Sequence, residues 1–586
     1  MRRSSLSLNI IITALITLII MVVVGVVGDY YFDLNDDVLM KDILSGSYTG
    51  VPAGHNIQML YPISALISVL YRVFRAPDWY GIFLCFLQFL CVFAVGYHVI
   101  DDVSEKANKA VWSIMVILIF LGTMASHFLF VQYTFTCGML SATATFLIMT
   151  HKEKDKNLLF AVILVFVAYL LRSEMLLLTL PMLCVGILIR WALTGKEFKN
   201  YLKAFILIIC ALILGQVANK IGYSSPEWKE FYRLFDARTE LYDFQYIPEY
   251  ADNNDFYDSI GLSESEQELL VNYNFGIDEE INAETLNAVA QYAAKLRTDE
   301  VPMTKQLLNA ISPYLYRMRF ISGQKSYEYP MTDFPWNMIV LLLYLGAILT
   351  ALFPVEERNK KNILLTFGLL ALLFACRSSL WLYIIVRGRD PIRITHPLYL
   401  MEIMILLAII HMKDRNGKRV VFVPLVAVSL ISLLSIPNQF DIIKTEMASR
   451  DSMRQHYDAL YDYFDANKDN FYFIDVYTSV SCGENKADGE ATFSEKMFER
   501  VDNSYANHDI MGGWASKSPL FEEKMQKFGL TNMQDSLLLD NVYMVQNLSE
   551  DVTWIADYYR EKGIDVTVKE VDKVADAFGI YSISVR

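Results

Sequence analysis

Positive charge is what this chain has least of: 51 lysines and arginines stand against 65 acidic residues, a net charge of -14 over 586 residues. A nucleic-acid partner is excluded on that ground, because binding a phosphate backbone needs a basic surface. Cysteine is scarce as well. Of the seven, Cys85, Cys91, Cys137, Cys184, Cys210 and Cys376 lie inside apolar runs and only Cys482 falls in a polar segment, so neither a disulfide framework nor a cysteine-based metal site is available. Six of the eight histidines, His98, His127, His151, His411, His456 and His508, are scattered without ligand spacing. That leaves no histidine metal centre to expect. Internal repeats and low-complexity linkers are missing too, and with them the paired, interrupted halves that a transporter or flippase would show.

What the chain does have is apolar residues in long blocks. They make up 54% of it, with 13% aromatic, which is too apolar for an ordinary soluble protein and marks a polytopic membrane protein. The first block, Leu8 to Val27, is long enough as a helix to cross a bilayer, and Arg2 and Arg3 precede it. It is longer than the core of a signal peptide and further spans follow, so it reads as an uncleaved first span with its N-terminus in the cytoplasm. Further runs at about 80–100, 110–126, 130–150, 158–171, 175–192, 202–220, 336–354, 362–386, 394–411 and 419–437 bring the expected number of spans to about eleven.

Charge decides which side each connector faces. HKEKDKN (151–157), TGKEFKNYLK (194–203), EERNKKN (356–362) and HMKDRNGKR (411–419) all fall on the side of the N-terminus, as the positive-inside rule requires, while DDVSEKANK (101–109) fits less cleanly. The first loop 28–79, the long loop 221–335 and the tail 438–586 then lie outside. The run MLYPISALISVLYRVF at 59–74 is short, carries Pro62 near its start and ends in Arg72 and Arg75. If it crossed, every later basic connector would face outward, so it is expected to lie on the outer surface as an interfacial helix. In the tail, FYFIDVYTSV, NVYMVQN, IDVTVKEV and FGIYSISV read as strands, with a helix in DVTWIADYYREKG ending at Gly563. The expected fold is therefore mainly α: a transmembrane helical bundle, 1–437, followed by a small extracytoplasmic α/β domain, 438–586.

The candidate chemistry lies just outside the first span, in YYFDLNDDVLMKDILSG. As a helix capped by Asn35 and ended by Ser45-Gly46, it would carry Asp36 and Asp37 in its first turn, where the macrodipole favours acids. That is the purely structural account of the pair. Helical spacing sets Asp36 on a face with Leu39, Met40 and Ile43 and sets Asp37 four residues from Lys41, an ion-pair spacing. Asp36 is then the acid without an evident partner, the state a general base requires. Toward the outer ends of two late spans lie Arg377, Arg387, Arg389 and Arg393, and the short helix pair at 158–192 meets at LRSEM, with Arg172 and Glu174. Arg377 is about ten residues inside its span, which requires a phosphate or a buried acid such as Glu402 as its partner. His55 in AGHNIQ and His396 in RITHP complete the polar residues near the outer surface. A divalent cation on Asp36 and Asp37 is conceivable chemically, but two adjacent acids occur on many surfaces, and neither a metal nor a cofactor is expected.

The order of one span, the loop NDDVLMKDILSGSY, the proline-bearing YPISALISVLYRVF and a second span resembles the GT-C glycosyltransferases, the superfamily of the protein O-mannosyltransferases and bacterial aminoarabinose transferases. AYLLRSEMLLLTLPML (168–183) is similar to their Arg-Pro-Glu-apolar stretch, and RGRDPIRITHPLYLMEIMILL (387–407) looks like their arginine-bearing entry into a late span. The chain departs from the family pattern with Asp37 where Glu is common, Tyr61-Pro62 where His-Pro-Pro is common and Ser173 where Pro is common. The resemblance covers roughly 1–437. It implies an enzyme of the plasma membrane that moves a sugar, with inversion, from a polyprenyl-phosphate donor to an envelope glycan, lipid or protein acceptor at the outer surface. In that reading Asp36, with Asp37 beside it, is the base, and Arg172, Arg377, Arg387, Arg389 and Arg393 bind the donor phosphate. His55, Glu174, His396 and Glu402 are further substrate contacts. A non-enzymatic membrane protein with an outer domain, a transporter, flippase or sensor, is the alternative.

Overall fold

The computed structural model describes residues 2–102, 106–151, 157–194, 198–319, 333–353, 360–413, 419–482, 493, 495–498 and 506–586. The basic connectors used above to assign sidedness lie largely outside the described residues. The chain begins with α1 (Arg2–Val27), the two-residue strand β1 (Tyr31–Phe32), α2 (Asn35–Ser45), α3 (Tyr61–Val73), α4 (Trp79–Asp102) and α5 (Lys106–Leu129). Then come β2 (Phe130–Val131), α6 (Tyr133–Thr150), α7 (Asn157–Leu171), α8 (Ser173–Thr194) and α9 (Phe198–Gly222). The long loop folds into α10 (Pro226–Phe244), α11 (Tyr250–Ser259), α12 (Glu264–Val271), α13 (Ala283–Glu300) and α14 (Met303–Arg319). After α15 (Trp336–Leu352), α16 (Lys360–Val386), α17 (Ile392–Lys413) and α18 (Arg419–Ala466) follow β3 (Phe471–Ile474), β4 (His508–Ile510), α19 (Pro519–Lys527), α20 (Met533–Ser536), β5 (Val542–Asn547), α21 (Thr553–Glu561), β6 (Val566–Val574) and β7 (Phe578–Val585).

Among the described residues nine helices are long and apolar enough to cross a membrane, and α7 and α15 are shorter apolar helices. The chain is an integral membrane protein. At the centre of the bundle every residue of α6 is buried, and α17 packs along it. Gly138 makes that contact possible, since a Cβ there would come within 2.3 Å of Pro397. In the same way Gly122 of α5 lies against the backbone of Ser432 on α18, where a Cβ would meet the carbonyl oxygen at 2.2 Å. Small residues at such crossings let helix backbones approach where lipid supplies no hydrophobic drive.

The helix α3 is 13 residues long, about 20 Å and too short to span. Its Ile63, Ile67 and Tyr71 are buried, while Leu66, Val69, Val73 and Phe74 are exposed. An apolar face left uncovered by the described residues is the pattern of an interfacial helix. Pro62 starts it and Tyr61 N–H donates to Asn219 Oδ1 at 2.8 Å. Arg72, which is exposed, donates to the Pro52 carbonyl.

Residue 437 lies within α18, which continues for about eight further turns before the sheet begins. The sheet order is β4-β3-β5-β7-β6, with β4, β3 and β5 parallel and β5, β7 and β6 antiparallel. The four strands and the helix read from the tail sequence are all present, and Gly563 follows α21 at φ +79°. The short β4 and the helices α19 and α20 carry no comparable sequence pattern.

Candidate active site

The first loop is tied down from three directions. β1 pairs in parallel with β2, and Asp33 N–H donates to the Val131 carbonyl. From α18, Arg450 donates to the Phe32 carbonyl at 2.9 Å and to Asp33 Oδ1 at 3.0 Å, with Glu446 completing the ion pairs. From the tail, Glu495 pairs with Lys41. Burial raises the Asp33 carboxyl above its ordinary range, while Arg450 and Arg393 pull it back. α2 is thereby held rigidly between the outer ends of the spans and the sheet. It starts at Asn35 with Leu34 in the cap position and no side-chain cap, so Asn35 is not the cap the sequence suggests. Its end is as expected, with Gly46 at φ +90° and its N–H on the Asp42 carbonyl.

The two acids of the first turn turn out to have exchanged surroundings. Asp37 is the buried one: its Oδ1 accepts from Tyr80 Oη at 2.8 Å and from Tyr133 N–H at 3.4 Å, and its Oδ2 makes no hydrogen bond among the described residues. Burial, with Asp36 and Asp33 adding to it, pushes its carboxyl well above the usual range. Lys41 does not pair with it but with Asp42, at 3.1 Å, and with Glu495. The physical reason is that α2 has its core side on Asp37, Met40, Ile43 and Leu44, so its phase is one residue from that inferred. Asp36 is half-buried and lines a cavity of about 190 Å³ between α2 and the sheet. No hydrogen bond or ion pair reaches its carboxylate from the described residues.

Beside Asp36 stand several guanidiniums. Arg172, in the elbow between α7 and α8, lies over the Tyr133 ring at 5.2 Å, donates to Gln58 Oε1 and pairs with Glu174 at 3.2 Å. The charges acting on it include those of Asp36 and Asp243. Arg389, in the turn between α16 and α17, pairs with Asp243 of α10 at 3.2 Å. Burial lowers its pKa, and Asp243 opposes that effect while Arg393, Arg172 and Arg238 add to it. Four guanidiniums therefore share one half-buried region with a small number of carboxylates. Arg387 packs over Phe244 at 4.2 Å and pairs with Glu240 at 3.6 Å, on the edge of the same group.

Other expected site residues are elsewhere. Arg377 is 1% exposed and its Nε donates to Glu402 Oε2 at 3.0 Å, while Nη1 donates to Tyr314 Oη at 2.6 Å. The rings of Tyr314, Trp381 and Tyr399 surround it, and Tyr344 Oη donates to Glu402 at 2.8 Å. This buried pair supplies the acid partner that the depth of Arg377 requires, and each charge faces the other. His55 stacks on Trp228 at 4.8 Å, with Tyr61 and Tyr223 around it and Nε2 on the Gly222 carbonyl, a packing joint between α3, α9 and α10. His396 is buried against His127, with 2.7 Å between ring nitrogens, and stacks on Trp336. Glu174 is exposed and, among the described residues, meets the site through its pair with Arg172.

Arg238, Asp243, Tyr133, Gln58 and Tyr273 belong to the site and carry no signal in the sequence: Arg238 and Asp243 share α10, the other three come from three further segments, and none stands in a recognisable spacing. Among the described residues, one group of acids has the spacing for a cation, Glu266, Asp278 and Glu280. The ammonium of Lys562 already lies between 2.6 and 2.9 Å from all three.

In overall fold the chain is similar to the crystal structure of ArnT from Cupriavidus metallidurans in the apo state, with a TM-score of 0.39 and 9% identity over 97% of both chains. The same protein bound to undecaprenyl phosphate aligns with a TM-score of 0.38, 8% identity and the same coverage. A likeness this distant assigns no role to any residue. No protein-family model and no curated protein sequence matches the chain.

Proposed function

We propose that the chain is a membrane glycosyltransferase that uses a polyprenyl-phosphate-linked sugar and transfers it to an acceptor hydroxyl at the outer surface. The observation that carries the reading is the carboxylate of Asp36, half-buried, unpaired among the described residues and facing a cavity, with the guanidiniums of Arg172, Arg238, Arg389 and Arg393 grouped nearby. Asp36 takes the proton of the acceptor hydroxyl as its oxygen forms the new bond to the anomeric carbon. The bond from that carbon to the phosphate oxygen breaks, and the leaving polyprenyl phosphate keeps the electron pair. Attack opposite the leaving group inverts the anomeric centre. Guanidiniums suit the leaving group because their planar donors bind phosphate bidentately and remain charged throughout. No cofactor or metal enters the scheme.

The N-terminus is cytoplasmic in this reading, and α2, the long loop and the tail are outside. The test is transfer of labelled sugar from membrane polyprenyl-phosphate donors by the purified chain in lipid. Asp36→Asn keeps size and removes the basic charge, so it is expected to lower transfer about 10²-fold or more at equal protein level. Full transfer by Asp36→Asn, or none by the unmodified chain with any donor, overturns the reading.

A further inference from the structure

The cavity above Asp36 has a roof as well as a floor. Its floor is α2, through Asn35, Asp36, Leu39 and Asp42, and its roof is the chain that leaves β3 and β4, through Val476, Ser479, Gly513 and Trp514. Those are the carboxyl ends of adjacent parallel strands, the edge at which α/β sheets bind ligands. The sheet is thus turned with its binding edge toward the carboxylate.

The walls are selective in their chemistry. Tyr48, Tyr273, Tyr461 and Trp514 supply aromatic faces. The other charged groups are already paired: Lys524 with Asp509 at 3.2 Å, where Tyr48 Oη also donates to Asp509 at 2.9 Å, Arg238 with Asp243 at 3.9 Å and with the Tyr273 hydroxyl, and Asp42 with Lys41. What remains is aromatic surface with a few placed hydrogen-bonding groups, a combination that fits a neutral, polyhydroxylated ring. An anion would meet Asp36, and an apolar group would leave the polar positions unmatched.

Tyr273 adds an independent sign. It is a bulky residue at φ +67°, in the left-handed region, a conformation that costs about 1–3 kcal/mol and persists where surroundings impose it. Here they do. Its carbonyl would lie 1.9 Å from a Cβ on Gly512, Gly276 N–H donates to the Met511 carbonyl at 2.8 Å, and its ring meets Tyr242 at 4.0 Å, edge to face. The loop that carries Tyr273 is pressed onto the loop after β4, and both line the cavity.

We propose that this cavity is the acceptor site and that the acceptor is a carbohydrate, one sugar ring of which is held between Tyr273, Tyr461 and Trp514 with a hydroxyl over Asp36. The inference rests on the transferase reading for the word acceptor, but sugar binding can be measured without transfer. The experiment is saturation-transfer NMR on the full chain in lipid discs, without donor, using methyl α-glucopyranoside, methyl α-mannopyranoside and N-acetylglucosamine as probes beside a serine- and threonine-rich peptide. At least one pyranoside is expected to bind, about tenfold more weakly in Trp514→Ala and in Tyr273→Gly. Tyr273→Gly removes the ring while suiting the backbone angle, so loss of binding there is not loss of folding. Binding of the peptide alone, binding of no probe, or pyranoside binding unaffected by both aromatic variants overturns the proposal. If pyranosides bind but no donor supports transfer, the transferase reading falls and the carbohydrate site stands; if Asp36→Asn abolishes transfer while no pyranoside binds, the reverse holds.

Discussion

Two neighbouring aspartates of one helical turn have opposite physics. Asp36 lines a cavity, whereas Asp37 is enclosed by Tyr80 and the start of α6. Burial raises the Asp37 carboxyl well above its usual range, so the native chain retains a proton that the unfolded chain releases near pH 4, at about the ordinary aspartate value. Stability from that proton is complete below the unfolded value and is lost as pH rises toward the folded one. Asp37→Asn has no proton to lose. It is expected to accumulate normally, to retain transfer within about tenfold, and to flatten the fall of thermal stability with rising pH above about pH 4; a steeper fall, or collapse of the protein level, would contradict the burial argument. Arg389 is tested at the same scale. Arg389→Ala removes one of four clustered guanidiniums and is expected to raise the donor KM about tenfold or more, with the acceptor KM unchanged, because one charge-assisted hydrogen bond is worth about 1.5–3 kcal/mol. An unchanged donor KM would remove the phosphate assignment.

Elements hold this site through pairs that bridge them. Arg377 on α16 and Glu402 on α17 are the clearest case, since both are enclosed by aromatic rings and by each other. Arg377→Leu leaves a carboxylate buried without its cation and is expected to cost about 3–5 kcal/mol, seen as a loss of folded protein and a lower melting temperature. Adding Glu402→Gln to it removes the stranded charge and is expected to restore most of that loss. If Arg377→Leu is stable and raises the donor KM instead, Arg377 binds phosphate after all. The arrangement differs from that of Arg389, whose partner Asp243 comes from the long loop and lies at the half-buried edge. Depth separates the two settings: Arg377 is enclosed in the bundle at 1% exposure, and Arg389 pairs with Asp243 at the rim.

The whole molecule is organised around α18, which leaves the bundle and runs on, through Pro437, to the sheet as one continuous helix. Arg450, beyond the span, ties that helix to the first loop, and the same helix leads into β3. The sheet is therefore placed over α2 by a rigid connection rather than by a linker. In the proposed orientation, with the N-terminus in the cytoplasm, the sheet is outside. Val571→Cys on β6, where the side chain is 45% exposed, is expected to react with an impermeant maleimide in intact cells. Labelling only after the membrane is opened would reverse the assigned sidedness and, with it, the location of the proposed chemistry.

The sequence by itself determined the class of the molecule and most of its elements. Blocks of apolar residues dictate spans because a backbone in lipid must satisfy its own hydrogen bonds. The proline-bearing run at 61–73 could be read as non-spanning from its length and flanking charge, and alternation in the tail marked β3, β5, β6 and β7. It also singled out Asp36, Arg172 and the arginines between α16 and α17. Only the tertiary structure decided which acid of the Asp36–Asp37 pair is available, because a helix of eleven residues presents its faces according to what packs on it, and a phase error of one residue exchanges core for cavity. Only it decided that Arg377 is spent on Glu402, that His55 is packing, and that Arg238, Asp243 and Tyr273 belong beside Asp36. Contacts between segments hundreds of residues apart leave no periodicity in either one, and here the residues that would meet substrate come from α2, α6, α10, the turn before α17 and the ends of β3 and β4.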